Sequence, residues 1–362
     1  MNLMKLMNET SFKFPKKSFV GLLLASALLA GAIVSIGRTE KAHATKLLMT
    51  GAGSTFINPL FSKWFSEYNK KYPGVEINYQ SIGSGGGIKQ LQKRTINFAA
   101  SDVPMSEKEM ADAGAHVLHF PVAIGAVVLS FNLPGVASGL KLDGAAISAI
   151  VRGQIKKWDD PKIKELNPGI ALPSKALVFV YRSDSSGTTG VFTDYLSKVD
   201  PSFAKEVGVG KALKWPTGLG GKGNEGVTAN IKNTEGAIGY VELTYALNEK
   251  LPMAAIKNQS GVFAKAELSS VTEAATQSLK IIPADFKMSL TNAVGSKSYP
   301  IASFTYLLAF EKTAKPEGDE LVKLMNWALD HGQGYAAPLG YAPLPKALVA
   351  KMREKIGSIA AP

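Results

Sequence analysis

The chain has 362 residues, no cysteine and a formal charge of +12, with 46% hydrophobic and 19% charged residues. Those proportions exclude an intrinsically disordered chain and leave room for two domains of ordinary size. The lack of cysteine excludes a disulfide scaffold and a lipid-modified cysteine, and Lys and Arg scattered in runs no longer than two argue against nucleic acid.

Residues 1–44 read as an export signal. Lys13, Lys16 and Lys17 form a basic start, 19–36 is apolar and uncharged, and Ala42-His43-Ala44 is a small-x-small cleavage site. An uncleaved anchor is the rival, because the apolar run is near spanning length. The cleavage site favours a free, soluble protein in a periplasm. Removing the segment leaves +8 on the mature chain. That field raises the encounter rate with small anions.

The mature chain opens with a short strand at 47–49 and a small-residue loop, G-A-G-S-T-F, at 51–56. Pro59 suits the first turn of a helix. Leu60, Phe61, Trp64, Phe65, Tyr68 and Tyr72 then recur at helical spacing and read as core. Ser54, Thr55 and Phe56 therefore stand between a strand end and a helix start. Val75, Ile77 and Tyr79 alternate as a strand, followed by G-S-G-G-G at 83–87 and a helix over 88–94. Ser84 is the hydroxyl of this unit, an anion nest or else a flexible turn. The strand over 96–102 closes on Asp102, which is a turn residue or something more. Ser106 and Glu109 form a capping box. His116 and His119 lie near the next strand, with four His in the chain, no Cys and no third ligand nearby. They read as structural, and no metal is expected.

A long β-rich run at 120–133 is long enough to cross between two lobes. A capped helix over 143–152 and a loop at 156–161 follow. An apolar β-branched run at 176–180 then leads into Y-R-S-D-S-S-G-T-T-G at 181–190 and a helical pattern over 191–196. The order strand, small-residue loop, helix puts Ser186, Gly187 and Thr188 at unpaired helix N–H groups, where the dipole favours an anion. Arg182 adds a permanent fork-shaped charge, and Asp184 is placed to hold it in one rotamer. An ordinary N-cap with a surface ion pair is the plainer reading. The repetition of the device earlier in the chain favours the anion site.

The stretch W-P-T-G-L-G-G-K-G-N-E-G at 215–226 contains G-x-G-x-x-G at Gly218, Gly220 and Gly223. No strand is expected before it and Pro216 stands in the way, so it reads as a loop capping a helix over 226–233. No Walker motif occurs, and no cofactor is expected. A strand over 237–243, a helix over 270–279, a second long β run at 299–310 and amphipathic helices over 317–331 and 344–356 complete the chain. Alternating strands and helices imply an α/β fold. Two crossing runs imply two lobes, the first built from both ends of the mature chain.

Several stretches together resemble the periplasmic phosphate-binding proteins of high-affinity phosphate ABC transporters. They are T-G-A-G-S-T-F at 50–56, N-Y-Q-S-I-G-S-G-G-G-I-K-Q at 78–90, A-A-S-D-V-P at 99–104, I-K-K-W-D-D at 155–160, R-S-D-S-S-G-T at 182–188, K-W-P-T-G-L-G-G-K-G-N-E-G at 214–226 and G-A-I-G-Y-V-E at 236–242. The resemblance covers nearly the whole mature chain. It implies a two-lobed α/β periplasmic binding protein of the Venus-flytrap type II form, closing on one phosphate. Lobe I would comprise 45–122 and 285–362, and lobe II 123–284. Phosphate contacts would come from Ser54, Thr55, Phe56, Ser84, Asp102, Arg182, Ser186, Gly187 and Thr188, with Asp184 behind Arg182. Expected partners are inorganic phosphate and the permease and ATPase subunits of the transporter, with the receptor itself a monomer and no catalytic residue. Two small departures stand out: Gly85 where many relatives carry a second serine, and Ser185 where many carry glycine.

Physical chemistry agrees with this reading. A dehydrated dianion is costly to bury unless many donors replace its water. Asp102 is the unusual member, because a carboxylate repels an anion unless that anion carries a proton to share. Phosphate does near neutral pH and sulfate does not. The rivals are a phosphatase or phosphotransferase using Asp102 or Ser186 as nucleophile, and a receptor for another oxyanion such as sulfate or molybdate. No histidine lies in the motifs to serve a nucleophile as base.

Overall fold

The computed structural model describes residues 46–359. The expected export signal lies outside these residues. The first unit is built as anticipated: β1 (Leu47–Gly53), α1 (Asn58–Lys71), β2 (Val75–Ser81), α2 (Ser84–Gln92) and β3 (Phe98–Ser101). Its strands run parallel in the order β2-β1-β3. Leu60, Phe61, Trp64, Phe65 and Tyr68 bury one face of α1, as their spacing requires.

Next come α3 (Glu107–Asp112), β4 (Val117–Phe131), β5 (Lys141–Leu142), α4 (Gly144–Val151), α5 (Pro161–Leu166), β6 (Val178–Arg182), α6 (Gly187–Val199) and α7 (Pro201–Glu206). The Ser106–Glu109 capping box closes in both directions, and Asp143 caps α4 through Ala146 N. The second half continues with β7 (Leu219–Gly221), α8 (Gly223–Asn233), β8 (Ala237–Glu242), α9 (Leu243–Asn248), β9 (Ala255–Lys257), β10 (Phe263–Ala264), α10 (Leu268–Ser278), β11 (Ala302–Phe310), α11 (Glu317–Asp330) and α12 (Lys346–Ile356).

The main sheet has eight strands in the order β2-β1-β3-β11-β4-β8-β6-β7. Its outer thirds are parallel, whereas β11 and β4 are antiparallel to each other and to their neighbours. The 15 buried residues of β4 pair with β11 as far as Ala126 and then with β8 from Val127 onward. The crossing strand expected at 120–133 is therefore the seam of the sheet. Uniform burial explains its almost wholly apolar sequence, broken only by His119 and Ser130, because neither face meets water. A smaller sheet, β10-β9-β5, flanks the second half.

Two local expectations need correction. The helix after β2 begins at Ser84, not Ile88, so three consecutive glycines lie inside its first turns. Gly87 shows why: a Cβ there would collide with the Ala52 carbonyl of β1, so helix-to-strand contact requires a residue without one. The second correction concerns the 215–226 loop. It contains a short strand, β7, parallel to β6, and α8 starts at Gly223. A three-residue edge strand of Leu-Gly-Gly has no apolar alternation to reveal it.

Candidate functional site

The turns that follow parallel strands β1, β3 and β6 meet in one buried cluster, at the strand ends where ligands usually lie in an open α/β sheet. After β1, the turn Ser54-Thr55-Phe56 is held by three tyrosines. Tyr79, Tyr245 and Tyr341 donate to the carbonyls of Ser54 (2.8 Å), Thr55 (2.6 Å) and Phe56 (2.6 Å). In a trans peptide the N–H lies opposite the C=O, so tying back the carbonyls of Ser54 and Thr55 turns the amides of Thr55 and Phe56 the other way. Burial pushes all three phenols upward and keeps them as donors.

Asp102, just past β3, is the centre of the site and is fully buried. Its Oδ1 accepts from Ser54 Oγ (2.5 Å) and Thr305 Oγ1 (3.0 Å). Its Oδ2 has only a long contact to Ser84 Oγ, 3.5 Å. One carboxylate oxygen is thus satisfied by protein and the other is open to a further partner. Burial pushes the Asp102 carboxyl up to about 6; hydrogen bonds from Ser54 and Thr305, the charge of Arg182 and the Ser84 contact oppose the rise. The β11 register shifts between Thr305 and Tyr306, and such bulges re-aim side chains beside sites. Ser303 Oγ, also from β11, fixes the Asp102 carbonyl at 2.8 Å.

The third group comes from β6 and α6. Arg182, at the end of β6, is 3% exposed. Asp184 grips it in a fork, Nε to Oδ1 at 2.8 Å and Nη2 to Oδ2 at 2.6 Å, and Gly223 N steadies Asp184 at 3.0 Å. Burial raises the Asp184 carboxyl, but the Arg182 hydrogen bonds and charge with the Gly223 amide outweigh it and hold it below the ordinary carboxylate range. Ser186 caps α6 by accepting from Thr189 N at 3.1 Å. The N–H groups of Gly187 and Thr188 then have no partner within the helix. A Cβ on Gly187 would collide with Ser84 Oγ and Asp102 Oδ2, so the α6 start is pressed against the β2 and β3 turns. These contacts join residues far apart in sequence into one buried cluster.

Every residue expected at the site is in this cluster, although Ser54 has a more specific place than expected. Its hydroxyl donates to Asp102 and accepts from Phe56 N at 3.0 Å, so it acts on Asp102 first. The two departures from the family pattern also meet. Gly85 N donates to the Ser185 carbonyl at 3.0 Å, and a Cβ on Gly85 would collide with Ser185 Oγ. Glycine on one side makes room for serine on the other. A cavity adjoins Asp102, lined among others by Val103, Val191, Met288 and an ion pair, Lys211 to Glu109, at 2.6 Å.

Sequence reading missed Thr305, Tyr240, the three tyrosine tethers and Asn224. Tyr240 OH accepts from Arg182 N at 3.1 Å and shares a 2.7 Å hydrogen bond with Thr189 Oγ1. Thr305 carried a faint signal as one of two small hydroxyl residues, with Ser303, in a mostly apolar strand. His119 is structural, as expected. Its Nε2 accepts from Met105 N at 3.0 Å, which leaves Nδ1–H for the Val117 carbonyl at 3.2 Å.

A model of the PBP superfamily domain matches residues 39–331. The phosphate-binding protein PstS of Pasteurella multocida is 42% identical over 307 residues, covering 84% of this chain and 88% of that protein. PstS of Haemophilus influenzae is 39% identical over 325 residues, covering 89% and 96%. Among solved structures, a high-affinity periplasmic phosphate-binding protein with bound phosphate superposes with a TM-score of 0.68 at 20% identity, covering 85% of this chain and 93% of that one.

Proposed function

Because the chain belongs to the family of PstS phosphate-binding proteins, we propose that it captures inorganic phosphate and delivers it to an ABC importer. A family of binding proteins makes it a receptor and not an enzyme. The observation that carries the reading is the buried cluster in which Asp102 keeps Oδ2 open beside Arg182, Ser84 and the α6 start. Donors from Thr55, Ser84, Arg182, Ser186, Gly187 and Thr188 replace the anion's water, and the Phe56 N–H, which also donates to Ser54 Oγ at 3.0 Å, is shared with it. Asp102 Oδ2 accepts the proton that phosphate carries, with Ser54 and Thr305 holding Oδ1.

Residues 45–122 and 285–362 belong to one lobe and 123–284 to the other, with β4 passing from the first into the second. The change of partner along β4 after Ala126 supports a boundary there. Export by residues 1–44 places the mature protein in the periplasm, as a monomer that docks on the permease of a transporter driven by its ATPase subunits. Calorimetric titration with phosphate and with sulfate tests the reading. Tight phosphate binding with sulfate rejected is expected, and sulfate bound as tightly as phosphate would refute it.

A further inference from the structure

Asn224, the second residue of α8, is fully buried. Its Oδ1 accepts from the backbone N–H of Glu242 at 3.0 Å. A backbone amide can only donate, so this contact fixes which end of the carboxamide is oxygen. The NH2 group must then face the other way. There Nδ2 donates to Thr55 Oγ1 at 2.8 Å and to Thr188 Oγ1 at 3.3 Å.

The consequence lies in hydroxyl direction. A threonine hydroxyl has two acceptor positions and one proton. Thr55 Oγ1 receives Asn224 Nδ2 and, at 3.3 Å, Asn224 N. Thr188 Oγ1 receives Asn224 Nδ2 and, at 3.3 Å, Arg182 Nη1. With its acceptor positions occupied, each hydroxyl has only its proton left to offer. We infer that Asn224 is a positioning residue that turns Thr55 and Thr188 into obligate donors toward the bound oxyanion. It touches no ligand itself. Because one carboxamide serves a turn after β1 and a helix start after β6, it sets both hydroxyls together.

This inference rests on the proposed anion site, and its test separates the two. Asn224→Asp keeps the shape and the acceptor for Glu242 N but replaces the donor with an acceptor. Both hydroxyls should then swing toward the new carboxylate and away from the ligand. Phosphate affinity is expected to fall by about tenfold or more. The added charge would also weaken an anion, so the same change is made in Thr55→Val. The part of the loss due to the Thr55 hydroxyl should vanish there, leaving the loss at least about threefold smaller. An equal loss in both backgrounds overturns the inference, as does an Asn224→Asp protein within about twofold of wild type.

A second readout needs no phosphate. In the ligand-free protein, the introduced carboxyl is titrated by NMR with and without Thr55→Val. Hydroxyl donation lowers its pKa, so Thr55→Val should raise it; no upward shift overturns the inference. If wild type fails to bind phosphate, the functional reading falls, while this titration still decides the hydroxyl direction. Should Asn224→Asp not fold, Asn224→Leu in the same two backgrounds, read by phosphate titration and thermal melting, decides it: loss of affinity that depends on Thr55 supports the role, and loss of melting temperature alone refutes it.

Discussion

Asp102→Asn tests the chemistry of selectivity most directly. In the wild type, Oδ1 is saturated by Ser54 and Thr305, and Oδ2 faces the α6 start with only the long Ser84 contact. In the proposed site, a ligand oxygen bearing a proton would complete Oδ2. A bare oxyanion there meets a lone pair in a fully buried site. A buried hydrogen bond to a charged group is worth about 1.5–3 kcal/mol. That corresponds to a selectivity factor of about 10 to 150 from this one contact. In the Asp102→Asn variant, the carboxamide oxygen still accepts from Ser54 and Thr305, and an NH2 group takes the place of Oδ2. Sulfate affinity should rise by about that factor, measured by calorimetry at pH 8 in parallel with phosphate. Phosphate should change less, since its oxygens can either donate or accept. If Asp102→Asn still rejects sulfate as strongly as wild type, Asp102 does not read the proton. The same logic gives a pH dependence. Burial raises the Asp102 carboxyl to about 6, so below that pH the empty site holds a neutral acid that can donate to sulfate. The phosphate-to-sulfate ratio of wild type should fall as pH drops through about 6 and stay flat in Asp102→Asn.

Other predictions follow from neighbouring contacts. Asp184→Asn leaves the Arg182 guanidinium buried with a weakened partner; the ligand-free protein should lose about 3 kcal/mol in urea unfolding, and phosphate should raise its Tm more than it does in wild type. Gly85→Ser should weaken phosphate binding by forcing the Ser185 side chain aside, and the further change Ser185→Gly should restore it; failure of the rescue would mean that the two positions are independent. His119 is held neutral, its pKa lowered to about 4 by burial. The unfolded chain takes up a proton near its ordinary value while the folded one does not, so stability should fall as pH drops from about 6.5 to about 4, by up to roughly 3 kcal/mol. Chemical denaturation of His119→Gln across that range should show a shallower loss.

Much of the architecture is legible in the sequence. Apolar residues at helical spacing announced α1, Ser106 and Glu109 announced their capping box, and two long β-rich runs announced the adjacent central strands β4 and β11. Local chemistry sufficed because each feature is satisfied within a few residues of itself. Gly85 and Ser185 show the limit of that reasoning. Each looked like an isolated departure, and only the packing of α2 against the turn before α6 makes them complementary.

The family pattern and the order of small-residue turns are enough, from sequence alone, to mark an α/β phosphate-binding receptor. Tertiary structure decided how the donors are aimed. The tethers Tyr79, Tyr245 and Tyr341, the brace Thr305 and the carboxamide of Asn224 come from elements up to 285 residues away in the chain. Hydrogen bonding is directional and acts over about 3 Å, so which atom of a loop faces a ligand depends on neighbours that only folding brings within reach.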